Sequence, residues 1–357
     1  IYNRPMEYIF QYLERKFGKK KPQLIEPNKK VLKDGYNYAA NIQAIPNTYN
    51  IEPAHQPKGL YRNITGNQAT AWGLLAASEK ANLPLFCGSY PITPASVILE
   101  ELAKRKDVPF VVDNTFGAAG FLCNPFDWGA NIVVDSATKW INGHGTAMGG
   151  IIVDGGNYNW ANGKFPQIDG PSEGYHGLNL YEAFGAAAFV VKCRVDGLRD
   201  FGCCPSSFDS YLMLLGLETL SLRVKHQVES TWRLAEYCRN HPKVERVSFV
   251  GFEDHAGYEN AQKYYRYGSS GVFAIELKGS LDSTVRFVEA LKLAANMTMI
   301  GDSITVVTHP ASTTHKQLNE ADLKAAGVTP TLLRISLGLE NVEDIIDDFE
   351  QAFAAVE

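Results

Sequence analysis

Four side chains with complementary chemistry occur close together in the middle of the chain. Asp113 follows the apolar run VPFVV, and Lys139 follows the run ANIVV, with Ser136 and Thr138 just before it. A lysine amine forms a Schiff base with an aldehyde when burial or a nearby cation keeps part of it deprotonated. A carboxylate can hold a proton on a pyridine nitrogen, and hydroxyls can bond phosphate oxygens. The set therefore fits a phosphorylated aldehyde held on Lys139.

Two predicted strands must bring these groups together. Residues 108–112 and 130–134 are continuous apolar runs, which favour parallel strands covered on both faces. Ligands of open α/β sheets bind at the carboxyl ends of the strands. We therefore expect Asp113 and Lys139 at one edge of a sheet, and a third strand within residues 149–156.

The remaining pattern predicts an α/β chain that starts with irregular segments. Helices are expected over residues 6–17, 65–81 and within 91–107, and a short buried strand is expected at 83–88. Residues 22–60 contain five prolines and little periodicity, which predicts a linker or an extended arm. Further along, the patterns predict a long amphipathic helix within 205–242, strands within 243–251, 269–277, 304–310 and 332–340, and helices over 283–293 and 341–353.

Arg334 lies inside an otherwise apolar strand, so its guanidinium needs an anion or water. A bidentate bond to a substrate carboxylate is one interpretation, and a structural ion pair is the alternative. His309 and His315 are six positions apart and match no metal-binding helical spacing. We expect no metal site.

The composition describes an ordinary globular protein. The chain has 357 residues, a net charge of −5 and 45% hydrophobic residues, so no nucleic-acid or membrane partner is expected. Its N-terminus lacks the pattern of a secretory signal. The six cysteines form no CxxC pair, which indicates free thiols and a cytoplasmic location.

Three ordered motifs carry a resemblance to a known family. VVDNTF, SATKW and LRISLG resemble the cysteine/methionine-metabolism family of pyridoxal-phosphate enzymes, and GYHGLNLYEAFG resembles its O-acetylhomoserine sulfhydrylase branch. The similarity covers residues 107 to 357. It implies an α/β fold with a fold-type-I pyridoxal-phosphate transferase-like core. This core would have a mostly parallel sheet with helices and lack its usual N-terminal part, and a smaller α/β C-terminal domain would follow.

The resemblance also implies a cofactor and residue roles. Pyridoxal 5'-phosphate would form its Schiff base with Lys139, Asp113 would pair with the pyridinium nitrogen, and Ser136 and Thr138 would bind the phosphate. Arg334 would hold the substrate carboxylate. Ser312 would line the substrate side. Met299 is a departure from the pattern, because the branch tends to carry a polar residue at this position.

The implied reaction is γ-replacement on O-acetyl-L-homoserine. Sulfide or a thiol would displace acetate, giving homocysteine or methionine. The partners would be an amino-acid substrate and further copies of the chain in a homo-oligomer such as a homotetramer.

The beginning of the chain resembles a different family. GNQATAWGLLAASEKANLPLF and GSYPITPAS, within residues 1 to 106, resemble a subunit of 2-oxoacid:ferredoxin oxidoreductases that contacts thiamine diphosphate with a partner subunit. In that family Thr93 would lie at the active site, whereas the plain interpretation of Thr93 is a helix cap. The alternative function is therefore such a subunit with a thiamine-binding partner, or an inactive fusion of the two proteins.

We therefore predict three segments, which are residues 1–106, the cofactor domain 107–216, and the linking helix with the C-terminal substrate domain 217–357. Residues 1–106 show no match to the phosphate cup, stacking aromatic residue and intersubunit Tyr/Arg pair that the pyridoxal-phosphate family carries there. The chain could be a fusion, a composite of two sequences, or one whose first block mimics the missing units.

Overall fold

A computed structural model describes residues 6–18, 22–41, 65–81 and 96–356. These belong to two compact units, residues 1–63 and 64–357. The first unit contains helix α1 (Glu7–Phe17), a 3-10 turn (Pro22–Leu24) and helix α2 (Ile25–Asn41). Lys29 Nζ joins them by donating to Glu14 Oε1 at 2.8 Å and to Glu26 Oε1 at 3.0 Å.

Helix α2 shows that the expectation of a linker over residues 22–60 is wrong for residues 25–41. Pro27 is the third residue of this helix, where its missing N–H would have had no intrahelical acceptor. A proline at that position is compatible with a helix start. The rest of that stretch, the strand expected at 83–88 and Thr93 lie outside the described residues.

The second unit begins with helices α3 (Gly66–Ala81) and α4 (Ser96–Lys106), both as predicted. Trp72 and Arg105 fasten them together. The Trp72 indole N–H donates to Glu101 Oε1 at 3.0 Å, and the Arg105 guanidinium lies 4.0 Å from the centroid of the Trp72 ring. Helix α4 leads into the strand that ends in Asp113.

The predicted strands form the first sheet, whose members are β1 (Val111–Asp113), β2 (Ile132–Ser136) and β3 (Gly150–Asp154). Strands β1 and β2 are parallel, with Asp113 opposite Val134. Strand β3 runs antiparallel to β2, with Gly150 opposite Ser136. Within the described residues this sheet therefore combines one parallel and one antiparallel pair, because the connection of residues 137–149 returns the chain beside β2.

Short elements follow the first sheet and lead to two longer helices. Helix α9 carries an N-cap at Ser206, whose hydroxyl accepts from Asp209 N, and α10 is the long helix that the sequence predicts. The elements are α5 (Pro166–Asp169), β4 (Pro171–Ser172), β5 (Leu178–Asn179), α6 (Leu180–Phe184), α7 (Ala188–Lys192), α8 (Arg199–Phe201), α9 (Ser207–Glu218) and α10 (Leu220–Asn240).

The C-terminal part is built on a five-stranded sheet in the order β6-β7-β10-β9-β8. Only the β8–β9 pair is parallel in this sheet. Its elements are β6 (Val244–Ser248), α11 (Tyr258–Tyr264), β7 (Val272–Leu277), α12 (Leu281–Ala290), β8 (Ala295–Asn296), β9 (Val306–Thr308), α13 (Glu320–Ala325), β10 (Leu332–Ser336) and α14 (Val342–Ala354).

This sheet covers the largest apolar core among the described residues. Alternate residues of β7 are buried, as period-two patterning requires. Helices α12 and α14 supply Phe287, Phe349 and Phe353, all essentially inaccessible to solvent. Val307 of β9 and Leu333 and Ile335 of β10 lie in this core, and β10 also carries Arg334.

Candidate active site

The carboxylate of Asp113 is tied to the end of strand β2 by one hydroxyl. Thr115 Oγ1 donates to Asp113 Oδ1 at 2.7 Å and accepts from the backbone N–H of Ser136 at 2.9 Å. The backbone N–H of Thr115 adds a second bond to Asp113 Oδ1 at 3.0 Å. The acid and the start of the lysine turn are therefore held at the same sheet edge, as predicted.

Lys139 lies on a tight turn just past strand β2. The Thr138 hydroxyl closes this turn, because it accepts from Gly149 N at 3.0 Å and donates to Gly149 O at 3.3 Å. Lys139 O accepts from Gly143 N at 2.7 Å, which starts the next bend. The backbone thus fixes where the lysine side chain leaves the turn.

The side chain of Lys139 meets the C-terminal sheet. Its Nζ lies 3.0 Å from Met299 Sδ. Arg334 Nη2 donates to Met299 O and to Thr308 Oγ1, both at 3.4 Å. Lys139 and Arg334, 195 positions apart in sequence, are therefore brought to opposite ends of one residue, Met299.

Burial lowers the pKa of the Lys139 amine below its ordinary value. The positive charge of Arg334 lowers this pKa further, whereas the carboxylate of Asp302 raises it. A larger share of the amine is thus unprotonated near neutral pH than in an exposed lysine. This is the property that a lysine needs in order to react with an aldehyde and to move a proton.

A second carboxyl group, that of Asp135, lies on the neighbouring strand β2, next to the residue that pairs with Asp113. Asp135 is 8% exposed, and its Oδ1 has no hydrogen-bond partner among the described residues. Burial and the charge of Asp113 raise the pKa of Asp135 to about 6, opposed by a bond from the backbone of Ala119. Asp135 is the first residue of the DSATKW motif, and its burial could not be predicted from the motif.

Ser312 is not brought to the lysine. Its Oγ lies 2.9 Å from His309 Nδ1, within the 3-10 turn Pro310–Ser312. His309 is buried and its Nε2 bonds Pro330 O at 2.8 Å. These bonds tie Ser312 to its own turn, and a substrate contact of Ser312 stays a prediction.

Sequence reasoning missed three residues of this site, namely Thr115, Thr308 and Asp302. The threonine of the VDNT motif was a usable signal for Thr115, since a hydroxyl two residues past a strand-end acid can bond it. Thr308 and Asp302 lie far away in sequence and carried no such signal. Met299 was noticed for its type only, and its contact with Lys139 depends on tertiary packing.

Comparison with known proteins identifies the enzyme family to which a chain with this geometry belongs. The model of the family Cys/Met metabolism PLP-dependent enzyme matches residues 96–354. The chain therefore belongs to this family of pyridoxal-phosphate-dependent enzymes, as the motifs around Asp113, Lys139 and Arg334 predict.

Two curated relatives show which members of the family the chain resembles. The chain is 45% identical over 256 residues to O-acetyl-L-homoserine sulfhydrylase 1 of Thermus thermophilus, covering 72% of this chain and 61% of that protein. It is also 45% identical over 256 residues to homocysteine synthase of Schizosaccharomyces pombe, covering 71% and 60%. The chain thus spans about three fifths of the length of these curated relatives.

Solved structures show the same fold. A Campylobacter jejuni protein assigned as an O-acetylhomoserine (thiol)-lyase, which contains N'-pyridoxyl-lysine-5'-monophosphate, superposes with a TM-score of 0.69 at 31% identity and covers 74% of this chain and 62% of that one. Cystathionine gamma synthase of Xanthomonas oryzae pv. oryzae gives 0.58 at 28% identity, covering 73% and 58%. The architecture is the fold-type-I architecture of pyridoxal-phosphate enzymes.

The described residues fit pyridoxal 5'-phosphate, the cofactor of this family. Lys139 has the lowered pKa that a Schiff base needs, and Asp113 is an oriented carboxylate that could face a ring nitrogen. The turn before Lys139 offers the Ser136 and Thr138 hydroxyls. These groups would hold the lysine side, the ring nitrogen and one side of the phosphate.

Proposed function

We propose that this chain carries the lysine and substrate half of an enzyme that replaces the acetyl ester of O-acetyl-L-homoserine with sulfide or a thiol. The proposed products are acetate and homocysteine or methionine. The observation that carries the proposal is the approach of Lys139 and Arg334 around Met299. Similarity to proteins named O-acetyl-L-homoserine sulfhydrylase and homocysteine synthase supports the substrate class.

Each residue has a role that follows from its surroundings. Arg334 would bind the substrate carboxylate through its planar guanidinium, which places the Cα–H near Lys139. Lys139, with its pKa lowered by burial, would take that proton on Nζ and later return it. Asp113, aligned by Thr115, would hold a proton on the ring nitrogen.

The cofactor, when bound, supplies an electron sink for the charge that is left when the Cα proton is removed. The net change breaks the bond between Cγ and the acetate oxygen and forms a bond between Cγ and sulfur. Met299 and the buried turn around Lys139 would exclude water from the amine, so that sulfide or a thiol competes better with hydrolysis.

Reductive trapping tests the cofactor assignment. The purified chain is mixed with pyridoxal 5'-phosphate, reduced with borohydride, digested and mapped by mass spectrometry. We expect the pyridoxyl group on Lys139 and a visible absorbance band before reduction. In Lys139→Ala the label should disappear, whereas Lys192→Ala, which removes a lysine outside the site, should keep it.

Activity is read separately, as acetate released from O-acetyl-L-homoserine with and without sulfide. Sulfide-dependent release that is lost in Lys139→Ala supports the γ-replacement. A protein that binds the cofactor at Lys139 but releases no acetate would contradict the proposed substrate, and a protein labelled elsewhere would contradict the proposed site.

The alternative based on residues 1–106 is a thiamine-diphosphate 2-oxoacid:ferredoxin oxidoreductase subunit, or an inactive fusion. It rests on sequence motifs alone, and the family match starts at residue 96. Copurification with a thiamine-binding partner would support the first form. Full cofactor occupancy at Lys139 with turnover would contradict the second.

Two further proposals concern the location of the protein in the cell and its oligomeric state. We propose a cytoplasmic location, supported by the free thiols of Cys123, Cys193, Cys203, Cys204 and Cys238. No helix among the described residues is long and apolar enough to cross a membrane.

We also propose a homo-oligomer such as a tetramer, supported by the exposed apolar face of helix α9, where Phe208 is 67% and Leu214 is 63% exposed.

A further inference from the structure

The side chain of Gln227 is completely buried on helix α10, and both ends of its amide are used. Its Oε1 accepts from the indole N–H of Trp140 at 3.1 Å, and its Nε2 donates to the backbone carbonyl of Asp302 at 2.7 Å. These bonds define the orientation of the amide, since an indole N–H only donates and a carbonyl only accepts. Gln227 therefore joins the turn after β2 to a segment of the C-terminal part.

The two residues that Gln227 joins lie next to the two side chains that meet at the amine. Trp140 directly follows Lys139, and Asp302 is the third residue after Met299. The Sδ atom of Met299 lies 3.0 Å from Lys139 Nζ. The same two segments of the chain are therefore in contact twice, once through the lysine and once through the glutamine.

Trp140 is 2% exposed, and further contacts restrict it. Arg223, one helical turn before Gln227, donates from Nη2 to the carbonyl of Trp140 at 2.9 Å. The indole ring packs against Gly301, where a Cβ would lie 2.4 Å from the ring. Because Trp140 is bonded at its carbonyl and its indole N–H and packed at its ring, the backbone of Lys139 before it is restricted as well.

Removal of the Gln227 amide would leave the Trp140 N–H and the Asp302 carbonyl without their partner. Buried polar groups in that condition regain hydrogen bonds by admitting water or by moving. Either response opens the contact between the turn after β2 and residues 299–302. Since burial is the main cause of the lowered pKa of the Lys139 amine, this opening would raise that pKa towards the ordinary value of lysine.

We propose that Gln227 is a positioning residue for Lys139, and that its amide keeps the turn after β2 closed against residues 299–302. Through Trp140 it restricts the backbone from which the lysine side chain leaves, and through Asp302 it holds the segment that places Met299 beside the amine. This inference rests on the proposed role of Lys139 in the reaction, but it concerns the free amine and is measured without turnover.

The test measures how the Lys139 amine titrates in the full chain freed of cofactor. The protein is labelled at trace level with acetic anhydride from about pH 6 to 11, and the Lys139 peptide is quantified by mass spectrometry. In Gln227→Met, which removes both hydrogen bonds at similar size, we expect the labelling midpoint to rise by about half a pH unit. The substitution changes no charge, and the charged side chains that act on the amine, Arg334 and Asp302, both remain.

Trp140→Phe separates the two hydrogen bonds of the amide. It removes the indole N–H only, so that Gln227 can still donate to Asp302 O, and we expect a smaller rise of the midpoint. The double variant should shift the midpoint no further than Gln227→Met alone, since both substitutions remove the same bond, whereas independent effects would add.

Thr231→Val is the matched control. Thr231 lies one turn further along α10, is also completely buried, and its hydroxyl donates to the backbone carbonyl of Gln227 at 2.7 Å. This bond stays within the helix, so its loss should lower the free energy of unfolding and leave the midpoint at Lys139 unchanged. Circular dichroism establishes that each variant is folded.

An unchanged or lowered midpoint in folded Gln227→Met would overturn the proposal, as would an equal rise in Thr231→Val. If Gln227→Met does not fold, the midpoint of Trp140→Phe decides in the same way. Failure of the proposed γ-replacement gives a different result. In that case acetate release would be absent from the unmutated protein, while the midpoint at Lys139 would still rise in the variants.

Discussion

Asp135 is a carboxylic acid in a buried environment, which is unusual for this residue type. A buried carboxyl group whose Oδ1 has no hydrogen-bond partner among the described residues is costly when charged. Because burial and Asp113 raise its pKa from 3.8 to about 6, the folded state binds this proton more tightly than the unfolded chain does. Its contribution to stability is therefore complete below pH about 4 and is lost as the pH rises through about 6.

Asp135→Asn tests this pH dependence. The substitution should raise the free energy of unfolding at pH 8 by about 2 kcal/mol more than at pH 4. The reason is that the Asp135 carboxyl group ionises between these two pH values, whereas the amide that replaces it does not. Urea unfolding followed by tryptophan fluorescence at both pH values measures the difference. The pH 4 data are the internal control, and an equal effect at both pH values would contradict a raised pKa.

At the scale of elements, the segment of residues 299–302 requires a glycine where it packs on Trp140, the residue after Lys139. Gly301 combines a positive φ of +67° with contact to the indole of Trp140. Gly327 has a similar φ of +71°, but among the described residues no atom beyond its chain neighbours lies within 4 Å of the position that a Cβ would take. Substitution at Gly327 therefore tests backbone strain alone, whereas substitution at Gly301 tests backbone strain together with steric contact.

Alanine at each glycine should give unequal losses. Gly327→Ala should lower the free energy of unfolding by about 1 kcal/mol, which is the left-handed backbone penalty. Gly301→Ala should cost about 2 kcal/mol more, because the methyl group must displace Trp140. Thermal and urea unfolding provide both values, and equal losses would show that the Trp140 contact yields without cost.

At the scale of the whole molecule, the exposed apolar surface is the clearest feature. Helix α9 and the start of α10 expose Phe208, Tyr211, Leu214 and Leu222 at 67%, 55%, 63% and 70%. Apolar side chains exposed together mark contact surfaces in proteins. Under the proposed homo-oligomer, a second copy of the chain covers them.

Sedimentation measures this association directly. The chain has a mass of 39.4 kDa, so a particle of two or four times that mass is expected. Leu214→Glu with Leu222→Glu should return it to the monomer, because charges on both copies would be buried. Leu293→Glu, at a 41% exposed leucine outside this surface, is the control. A monomer without any substitution would contradict the oligomer.

Much of the fold could be predicted from the chain. The two apolar runs predicted a parallel pair with Asp113 at its end, and periodicity located α1, α10 and α14. Helices were also expected at α3, from its Ala-rich composition, and at α12, between two strands. The same reasoning failed at α2, because a proline in the first turn of a helix resembles the prolines of a linker. The antiparallel direction of β3 could not be predicted, since alternation specifies a strand and not its direction.

The sequence by itself determined the family and the candidate reactive groups. The spacing of Asp113, Ser136, Thr138 and Lys139 depends on one local strand-turn segment, and local segments follow from local chemistry. The tertiary structure alone decided what surrounds the amine. Met299, Asp302 and Arg334 come from segments about 160 to 195 positions further along, and only packing of the C-terminal part against the turn after β2 places them there. The Lys139 pKa depends on burial and nearby charges, which are properties of that packing.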